Sequence, residues 1–285
     1  TQTQIVSQDL SELVAEIQPD DLKGLRVTFI NMPLRENALP NTPPQGPALM
    51  ASRLRLYGVD VNLIDLNAYR IKDQTAAKDN KANGRHLSHS ETRELLNAHF
   101  TKHGEPDVIG LSGMITTLKW QETVLKMCRA LLPDVFIMSG GGLATELKNC
   151  LFQWMPELDA VAHSEGDDII LSIAQYIKKG KGLSSKSRLS LLVSSPFYVG
   201  EIEGRHRYLF GGDRPNHLDD LPFAAWDLLE TDVFGNKLLE RYIETPVWGL
   251  AANNSSAAPF KMKRSLTTVS SRGCPYSCTF CYRGA

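Results

Sequence analysis

The stretch from Asp107 to Glu146, DVIGLSGMITTLKWQETVLKMCRALLPDVFIMSGGGLATE, decides the predicted fold. Two apolar runs of strand length, at residues 107–113 and 135–142, enclose a segment whose apolar residues recur at helical spacing. Strands that alternate with helices in this way indicate a parallel sheet. The runs are almost continuously apolar, which is typical of strands that are covered on both faces of the sheet.

The same alternation extends to both sides of this stretch. Further strands are predicted at residues 25–32, 59–66 and 160–166, so that residues 25–182 hold five strands alternating with helices. We therefore predict an α/β fold with a five-stranded, parallel, doubly wound sheet of the Rossmann-like or flavodoxin-like type. Residues 189–195 and 198–212 are expected to form short antiparallel strands, and an irregular linker begins near Pro215.

The chain divides into four predicted segments. An N-terminal lead covers residues 1–24, the sheet domain covers 25–185, and a small β segment with a linker covers 186–262. Residues 263–285 begin with a β-branched strand at 263–271 and are expected to start a second domain.

The composition excludes several classes of protein. The chain has 285 residues, of which 42% are hydrophobic and 22% charged, as in folded globular proteins. Its net charge of −1 and the lack of a basic tract do not indicate binding to nucleic acid or to an anionic membrane. No apolar run approaches the roughly 20 residues of a membrane-spanning helix. Five cysteines are too few for a disulfide framework, so we predict a reducing cytoplasm, with Cys128 and Cys150 as reduced core residues.

Three cysteines lie close together near the end of the sequence. Cys274, Cys278 and Cys281 have the spacing C-x3-C-x2-C in the string CPYSCTFC. Neighbouring thiolates bind soft metals or iron–sulfur clusters. A structural zinc site normally takes four ligands, and no fourth cysteine or histidine is nearby, although a zinc knuckle or chance spacing stays possible. Three thiolates on a four-iron cluster would leave one iron open.

This string, following a strand and carrying Phe280 before its last cysteine, resembles the signature of the radical S-adenosylmethionine (radical SAM) superfamily. The resemblance implies that Cys274, Cys278 and Cys281 hold a [4Fe-4S] cluster on the loop after the first strand of a partial (β/α) barrel. It further implies that the open iron binds S-adenosylmethionine, with Phe280 and Tyr282 near the adenine. One electron, from a flavodoxin or ferredoxin type of donor, would then cleave S-adenosylmethionine to methionine and a 5′-deoxyadenosyl radical.

The loops after four of the predicted parallel strands, at residues 33–47, 112–117, 139–146 and 164–168, are where a ligand is expected, and small and glycine-rich residues occur in them. Open parallel sheets bind their ligands at the carboxyl ends of the strands. With their order ahead of the cysteine loop, these loops resemble the cobalamin-binding domain that precedes many radical SAM domains. The resemblance assigns to cobalamin Ser112, Gly113, Met114, Ile115, Thr116, Thr117, Ser139, Gly140, Gly141, Gly142, Thr145, Glu165 and Gly166.

The string D-x-H-x-x-G, whose histidine ligates cobalt in methionine-synthase-like domains, is absent. We interpret His163, at the end of the fifth strand, as a structural histidine. The lower face of the corrin would then be open, bound to water, or shielded by Met114, Ile115 or Leu118.

Several acidic residues are given structural roles. Asp60 and Asp65 flank the second strand and are expected to be solvated at the surface. Asp167 and Asp168 are expected to cap the helix that follows the fifth strand.

The sequence is thus interpreted as the N-terminal part of a cobalamin-dependent radical SAM enzyme, ending just after the cysteine loop. In that family the usual reaction is methylation of an unactivated carbon, and some members cyclise or rearrange their substrates. Because the other units of the partial barrel are missing from these residues, we expect the 285-residue chain alone to be inactive. The substrate, a small molecule or a peptide, is not indicated.

Two other classes of function remain open. One is a cobalamin-binding module without catalytic activity. The other is a nucleotide-binding oxidoreductase domain, which would carry G-x-G-x-x-G after the first strand, where this sequence has none.

Overall fold

A computed structural model describes residues 16–34, 42–69, 85–212 and 218–243, together with residues 264, 266, 269, 272, 273, 276, 278 and 279. Within these residues, seven strands form one sheet. The strands are β1 (Arg26–Asn31), β2 (Asp60–Asp65), β3 (Val108–Ser112), β4 (Phe136–Gly140), β5 (Ala160–Ser164), β6 (Tyr198–Ile202) and β7 (Arg205–Gly212).

The helices lie between and after these strands. They are α1 (Gln45–Arg55), α2 (His89–His103), α3 (Leu118–Leu131), α4 (Gly142–Leu147), α5 (Leu151–Trp154), α6 (Asp167–Gly180), α7 (Ser185–Val193) and α8 (Leu238–Ile243). Short 3-10 turns occupy Leu66–Ala68, Ile115–Thr117, Lys148–Cys150, Leu218–Asp220 and Trp226–Leu229. Within the described part of the chain, no helix is both long and apolar enough to cross a membrane.

The sheet has the strand order β2-β1-β3-β4-β5-β7-β6. The five strands predicted from the sequence are all present, and their neighbours pair in parallel. The predicted size of the sheet is wrong, because β7 pairs in parallel with β5 and β6 pairs antiparallel with β7. The fold is therefore α/β, with a mostly parallel sheet of seven strands. Residues 263–271, with the predicted first strand of a barrel, lie largely outside the described residues.

The apolar runs that predicted the strands form the centre of the core. Val27, Ile109, Ile137 and Val161, one from each of four neighbouring strands, are fully buried. Burial of such side chains, worth about 1.5–3 kcal/mol each, is the main force that holds this sheet against its helices. Cys128 is also buried, as predicted, and burial raises the pKa of its thiol to about 12.

Three further predictions are wrong. Residues 189–195 were expected to form a strand, but helix α7 covers most of them, and the Oγ of Ser184 accepts a hydrogen bond from the backbone N–H of Ser187 where that helix begins. A short apolar run does not distinguish a strand from a helix by its periodicity. Cys150 is exposed rather than in the core.

Asp65 is the third. It is fully buried, whereas Asp60 is exposed as predicted and pairs with Arg26.

The segment 218–243 folds back onto the sheet next to β2. The phenol of Tyr242, on α8, is buried and bonded to the side chain of Asp65. The amide of Asn67 donates to the oxygen of Tyr242 at 3.2 Å, and the guanidinium of Arg241 donates to the carbonyl of Ala68 at 2.9 Å. These polar contacts fix the linker at the carboxyl end of β2.

Candidate functional site

A cavity of about 770 Å³ lies at the carboxyl ends of the parallel strands. Its base is formed by apolar side chains of the sheet, among them Phe29, Leu111 and Met138. Residues 45–50 of α1 and the beginning of α6 form walls, and residues 218–226 form a further side. A cavity of this size and position, with a largely apolar lining, is typical of a binding site for an organic ligand.

The rim of the cavity is built from residues with little or no side chain. At Gly140, an added Cβ would meet only the carbonyl oxygen of Ala162, at 3.9 Å, so this strand end leaves open space. Gly141 has a φ of +82°, and a Cβ there would lie 3.0 Å from the carbonyl oxygen of Gly113. A residue other than glycine would be strained at Gly141, because its backbone lies in the left-handed region and two loops meet closely there.

Of the residues assigned to cobalamin from the sequence, five line this cavity: Ser112, Gly140, Gly141, Glu165 and Gly166. The others are close in sequence but do not line it: Gly113, Met114, Ile115, Thr116, Thr117, Ser139, Gly142 and Thr145. Met114 and Ile115 are exposed, at 54% and 53%, on the turn that follows β3.

Three of these polar residues hold the loops in place. The buried Ser139 donates to the amide oxygen of Gln121 at 2.8 Å, and Thr117 donates to the carbonyl of Met114 at 2.8 Å. Thr145 accepts a hydrogen bond from the backbone N–H of Ser164 at 3.1 Å. Thr145 therefore connects the loop after β4 with the end of β5.

The turn after β5 carries three carboxylates that bind arginines. Asp168 pairs with Arg53 of α1 at 2.7 Å, while Glu165 and Asp167 both contact Arg272, at 2.9 Å and 2.6 Å. Asp167 and Asp168 lie in the first turn of α6, where negative charge offsets the helix dipole, but no side chain caps this helix. The predicted capping is therefore wrong.

His163 lies at the end of β5 but does not line the cavity. Its Nδ1 is 3.1 Å from the Oγ of Ser164, and its ring occupies the space next to Gly211 of β7, where an added Cβ would meet it at 2.8 Å. Burial lowers the pKa of this imidazole. The position agrees with the interpretation of His163 as a structural histidine.

The segment that leads into the cysteine loop reaches the same cavity. Val269, Arg272 and Gly273 are among its lining residues. Cys278 is exposed and takes part in no disulfide. Cys274, Cys281, Phe280 and Tyr282 lie outside the described residues. The described residues contain no group of three or more His, Cys, Asp or Glu side chains that could hold a metal ion.

Sequence reasoning missed some of the lining residues. Gln45, Arg272 and the side formed by residues 218–226, including Trp226, were not predicted. Two positions in the sequence could have indicated them, since Gln45 lies in the loop after the first predicted strand and Arg272 lies two residues before Cys274.

No protein-family model matches the sequence. An uncharacterised methyltransferase of Pyrococcus horikoshii is 23% identical over 267 residues, which cover 91% of this chain and 46% of that protein. The anaerobic magnesium-protoporphyrin IX monomethyl ester cyclase of Rubrivivax gelatinosus is 21% identical, over 85% of this chain and 35% of the relative. The cobalamin-dependent radical SAM methyltransferase TokK of Streptomyces tokunonensis is 26% identical, over 64% of this chain and 22% of the relative.

The chain thus spans less than half the length of these curated relatives. A solved structure of the cobalamin-dependent S-adenosylmethionine radical enzyme OxsB, with aqua-cobalamin and S-adenosylmethionine bound, aligns with 73% of this chain and 25% of its own. The TM-score of that alignment is 0.47 and the sequence identity is 19%. The sequence is thus similar to that of a cobalamin-dependent radical SAM methyltransferase, which belongs to the family that the cysteine string and the loops resemble.

Proposed function

We propose that the protein is a cobalamin-dependent radical SAM enzyme whose sheet binds cobalamin at its carboxyl edge. The observation that carries the proposal is that one cavity is lined by the ends of β3, β4 and β5 and also by Val269, Arg272 and Gly273. The first cysteine of the C-x3-C-x2-C string follows directly after Gly273. A corrinoid in the cavity and a cluster on the string would therefore lie on neighbouring parts of the chain.

The cavity fits a large organic ligand that places a ring system against its apolar base. Its base is apolar, and Gly140 leaves room for a ligand to contact the backbone. Ser112, Gly140, Gly141, Glu165 and Gly166 would hold the cobalamin there. The other loop residues named from the sequence would act around it. Met114 and Ile115 would offer exposed apolar surface beside the corrin, while the buried Thr117 and Ser139 would hold the loops.

The cysteine string fits a [4Fe-4S] cluster by the chemistry of its donors. Three thiolates are the usual soft ligands of such a cluster and leave one iron open for S-adenosylmethionine. Cys274, Cys278 and Cys281 would hold the cluster, and Phe280 and Tyr282 would lie near the bound S-adenosylmethionine.

When bound, these groups would supply a radical from S-adenosylmethionine, after one electron from a flavodoxin or ferredoxin type of donor, and a methyl group from cobalamin. The chain's own residues would bind and orient the cofactors and exclude water from the cavity. We propose methylation of an unactivated carbon as the reaction, with cyclisation or rearrangement as the second candidate because one relative is named a cyclase. We propose the reducing cytoplasm as the place of action, since exposed thiols and such a cluster need it.

Two measurements test the proposal. The purified protein, titrated with hydroxocobalamin under anaerobic conditions, should bind it with a change in the visible absorption bands. After anaerobic reconstitution the same protein should contain about four iron and four sulfide per chain. Binding of a nicotinamide dinucleotide in place of hydroxocobalamin would favour the oxidoreductase alternative. Cobalamin binding without a cluster would favour the non-catalytic module.

A further inference from the structure

Val269 is bonded to a side chain of the sheet domain. Gln45, the first residue of α1, accepts a hydrogen bond from the backbone N–H of Val269 at 2.8 Å, and its amide group donates to the carbonyl of Val269 at 3.3 Å. One side chain thus pairs both backbone groups of one residue, as a neighbouring strand would. This contact recognises the backbone of the segment and not its side chains.

A second contact lies three residues further along the chain. The Nη1 of Arg272 is 2.6 Å from Asp167 Oδ2 and 2.9 Å from Glu165 Oε2, and its Nη2 is 3.2 Å from Asp167 Oδ1. The side chains of Arg272 and Asp167 are only 20% and 6% exposed. Charge-assisted bonds with this geometry and burial are stronger than pairs at the surface. The bonds with Asp167 raise the pKa of Arg272.

Gly273 connects Arg272 to the cysteine loop. Its φ is +82°, in the left-handed region that glycine adopts readily, so the chain turns there. Cys274 is the next residue. The position of Arg272 therefore limits where the cysteine loop can begin, because Cys274 lies only two residues further along the chain.

We propose that Gln45, Glu165 and Asp167 are positioning residues, which hold Val269 and Arg272 against the wall of the cavity and so set where the chain enters the cysteine loop. Val269, Arg272 and Gly273 are called the docked segment below. The identity of the cofactors at the loop and in the cavity rests on the proposed function, whereas the contact itself does not. Since Val269, Arg272 and Gly273 line the cavity, a ligand that fills it and the docked segment stabilise each other.

Hydrogen–deuterium exchange of the protein without cofactors tests the contact. In the variant Asp167→Asn, the backbone of residues 266–273 should exchange about tenfold faster or more, because a charged partner of Arg272 is lost. Gln45→Leu should have a similar effect, because it removes both bonds to Val269. Exchange in β4 should not change in either variant.

Matched variants separate positioning from general loosening. Asp168→Asn removes a carboxylate from the same helical turn, but this residue pairs with Arg53 and not with Arg272. It should leave exchange of residues 266–273 unchanged. Asp167→Glu, which keeps the charge, should retain most of the protection, whereas Gln45→Glu, which replaces the donor to the Val269 carbonyl with a carboxylate oxygen, should lose most of it. Equal exchange in Asp167→Asn and Asp168→Asn would overturn the proposal, as would faster exchange throughout the sheet.

Titration with hydroxocobalamin tests whether the docked segment and a ligand in the cavity stabilise each other. Asp167→Asn should raise the dissociation constant several-fold, while Asp168→Asn and Asp167→Glu should bind as the unchanged protein does. An unchanged dissociation constant in Asp167→Asn would overturn the coupling between the docked segment and the cavity. If the unchanged protein binds no hydroxocobalamin, the proposed function fails, and the exchange arm still decides whether these residues hold the segment.

Discussion

The hydroxyl of Tyr242 donates a hydrogen bond of 2.5 Å to Oδ2 of Asp65, a carboxyl group that is fully buried at the end of β2. The same carboxyl accepts bonds from the side chain of Asn31 at 2.8 Å and from the backbone N–H of Asn67 at 3.1 Å. Burial raises the pKa of Asp65 to about 6, although these bonds lower it. One buried carboxyl therefore joins two neighbouring strands and the linker helix α8.

Removal of the hydroxyl should weaken this junction. We expect Tyr242→Phe to lower the free energy of unfolding by about 1–3 kcal/mol, because the buried oxygen of Asp65 loses a donor. Urea unfolding, followed by circular dichroism, measures the change. Tyr176→Phe is the control, since the described structure gives that hydroxyl no hydrogen-bond partner, and it should be nearly neutral. Equal stability of the two variants would contradict the assigned strength of the Tyr242–Asp65 bond.

The pH dependence of stability should contain two opposed contributions. The pKa of Asp65 is raised to about 6 in the folded state, so its contribution to stability is present at low pH and is lost as the pH rises to about 6. Burial lowers the pKa of His99 to about 4, so its contribution is present above the usual histidine value and is lost as the pH falls to about 4. His103 and Lys102 also lower the pKa of His99, and the carboxylates of Asp227 and Asp232 line the same small cavity.

Single variants should separate these contributions between about pH 4 and pH 6. The free energy of unfolding of Asp65→Asn, minus that of the unchanged protein, should rise with pH in this range. The same difference for His99→Gln should fall with pH. Each difference should approach at most about 1.4 kcal/mol per pH unit. Urea unfolding at several pH values measures both. Parallel curves for the two variants and the unchanged protein would show that neither group titrates as inferred.

A buried carboxylate, Asp159, also connects the antiparallel pair β6–β7 to the rest of the sheet. Asp159 pairs with Arg129 at 2.8 Å and with Arg205 at 2.9 Å, and it accepts the backbone N–H of Ile137 at 2.8 Å. Asp159→Ala should lower the free energy of unfolding by about 3–5 kcal/mol, because the mostly buried Arg129 and the partly exposed Arg205 both lose their carboxylate partner.

The matched control for Asp159 is Asp60→Ala. Asp60 pairs with Arg26 at 2.8 Å, but its side chain is 57% exposed. This variant should change the free energy of unfolding by less than about 1 kcal/mol. If both substitutions destabilise the protein equally, burial does not determine the strength of the Asp159 cluster.

The parallel core of the fold was predictable because its signal is local. β1, β3, β4 and β5 lie in largely apolar runs of strand length, and a helix with its own periodicity follows each of them. The pairing of β7 with β5 was not predictable, since it depends on which sheet edge is free to accept a strand. The burial of Asp65 was missed for a similar reason, because its partner Tyr242 is 177 residues away along the chain.

The candidate site also contains residues that the sequence could predict and residues that it could not. Gly140 and Gly141 could be found from the sequence, because they follow directly on an apolar strand and lie at a sheet edge that binds ligands. The pairing of Arg272 with Glu165 and Asp167 depends on the return of the chain over the cavity. No local pattern carries that information. The sequence therefore predicted a cofactor contact for Glu165 and a helix cap for Asp167.

Filling the cavity from its rim should prevent ligand binding without unfolding the protein. Gly140→Leu adds a side chain where a Cβ has only one neighbour, at 3.9 Å, so we expect no loss in the free energy of unfolding. The dissociation constant for hydroxocobalamin should rise at least about tenfold, since the added side chain takes up part of the space for the ligand. Gly140→Ala should have a smaller effect. Unchanged binding to Gly140→Leu would place cobalamin elsewhere.

The cysteine string should account for all of the bound iron. Cys278 and Cys150 are both exposed, but only Cys278 belongs to the C-x3-C-x2-C string. After anaerobic reconstitution, Cys278→Ser should lose most of its iron and sulfide, because an alcohol is a poor ligand for a soft metal centre. Cys150→Ser should retain about four iron and four sulfide per chain, as the unchanged protein does. Full iron and sulfide in Cys278→Ser would exclude the string as the cluster site, and stoichiometric zinc without sulfide in the unchanged protein would support a zinc knuckle instead.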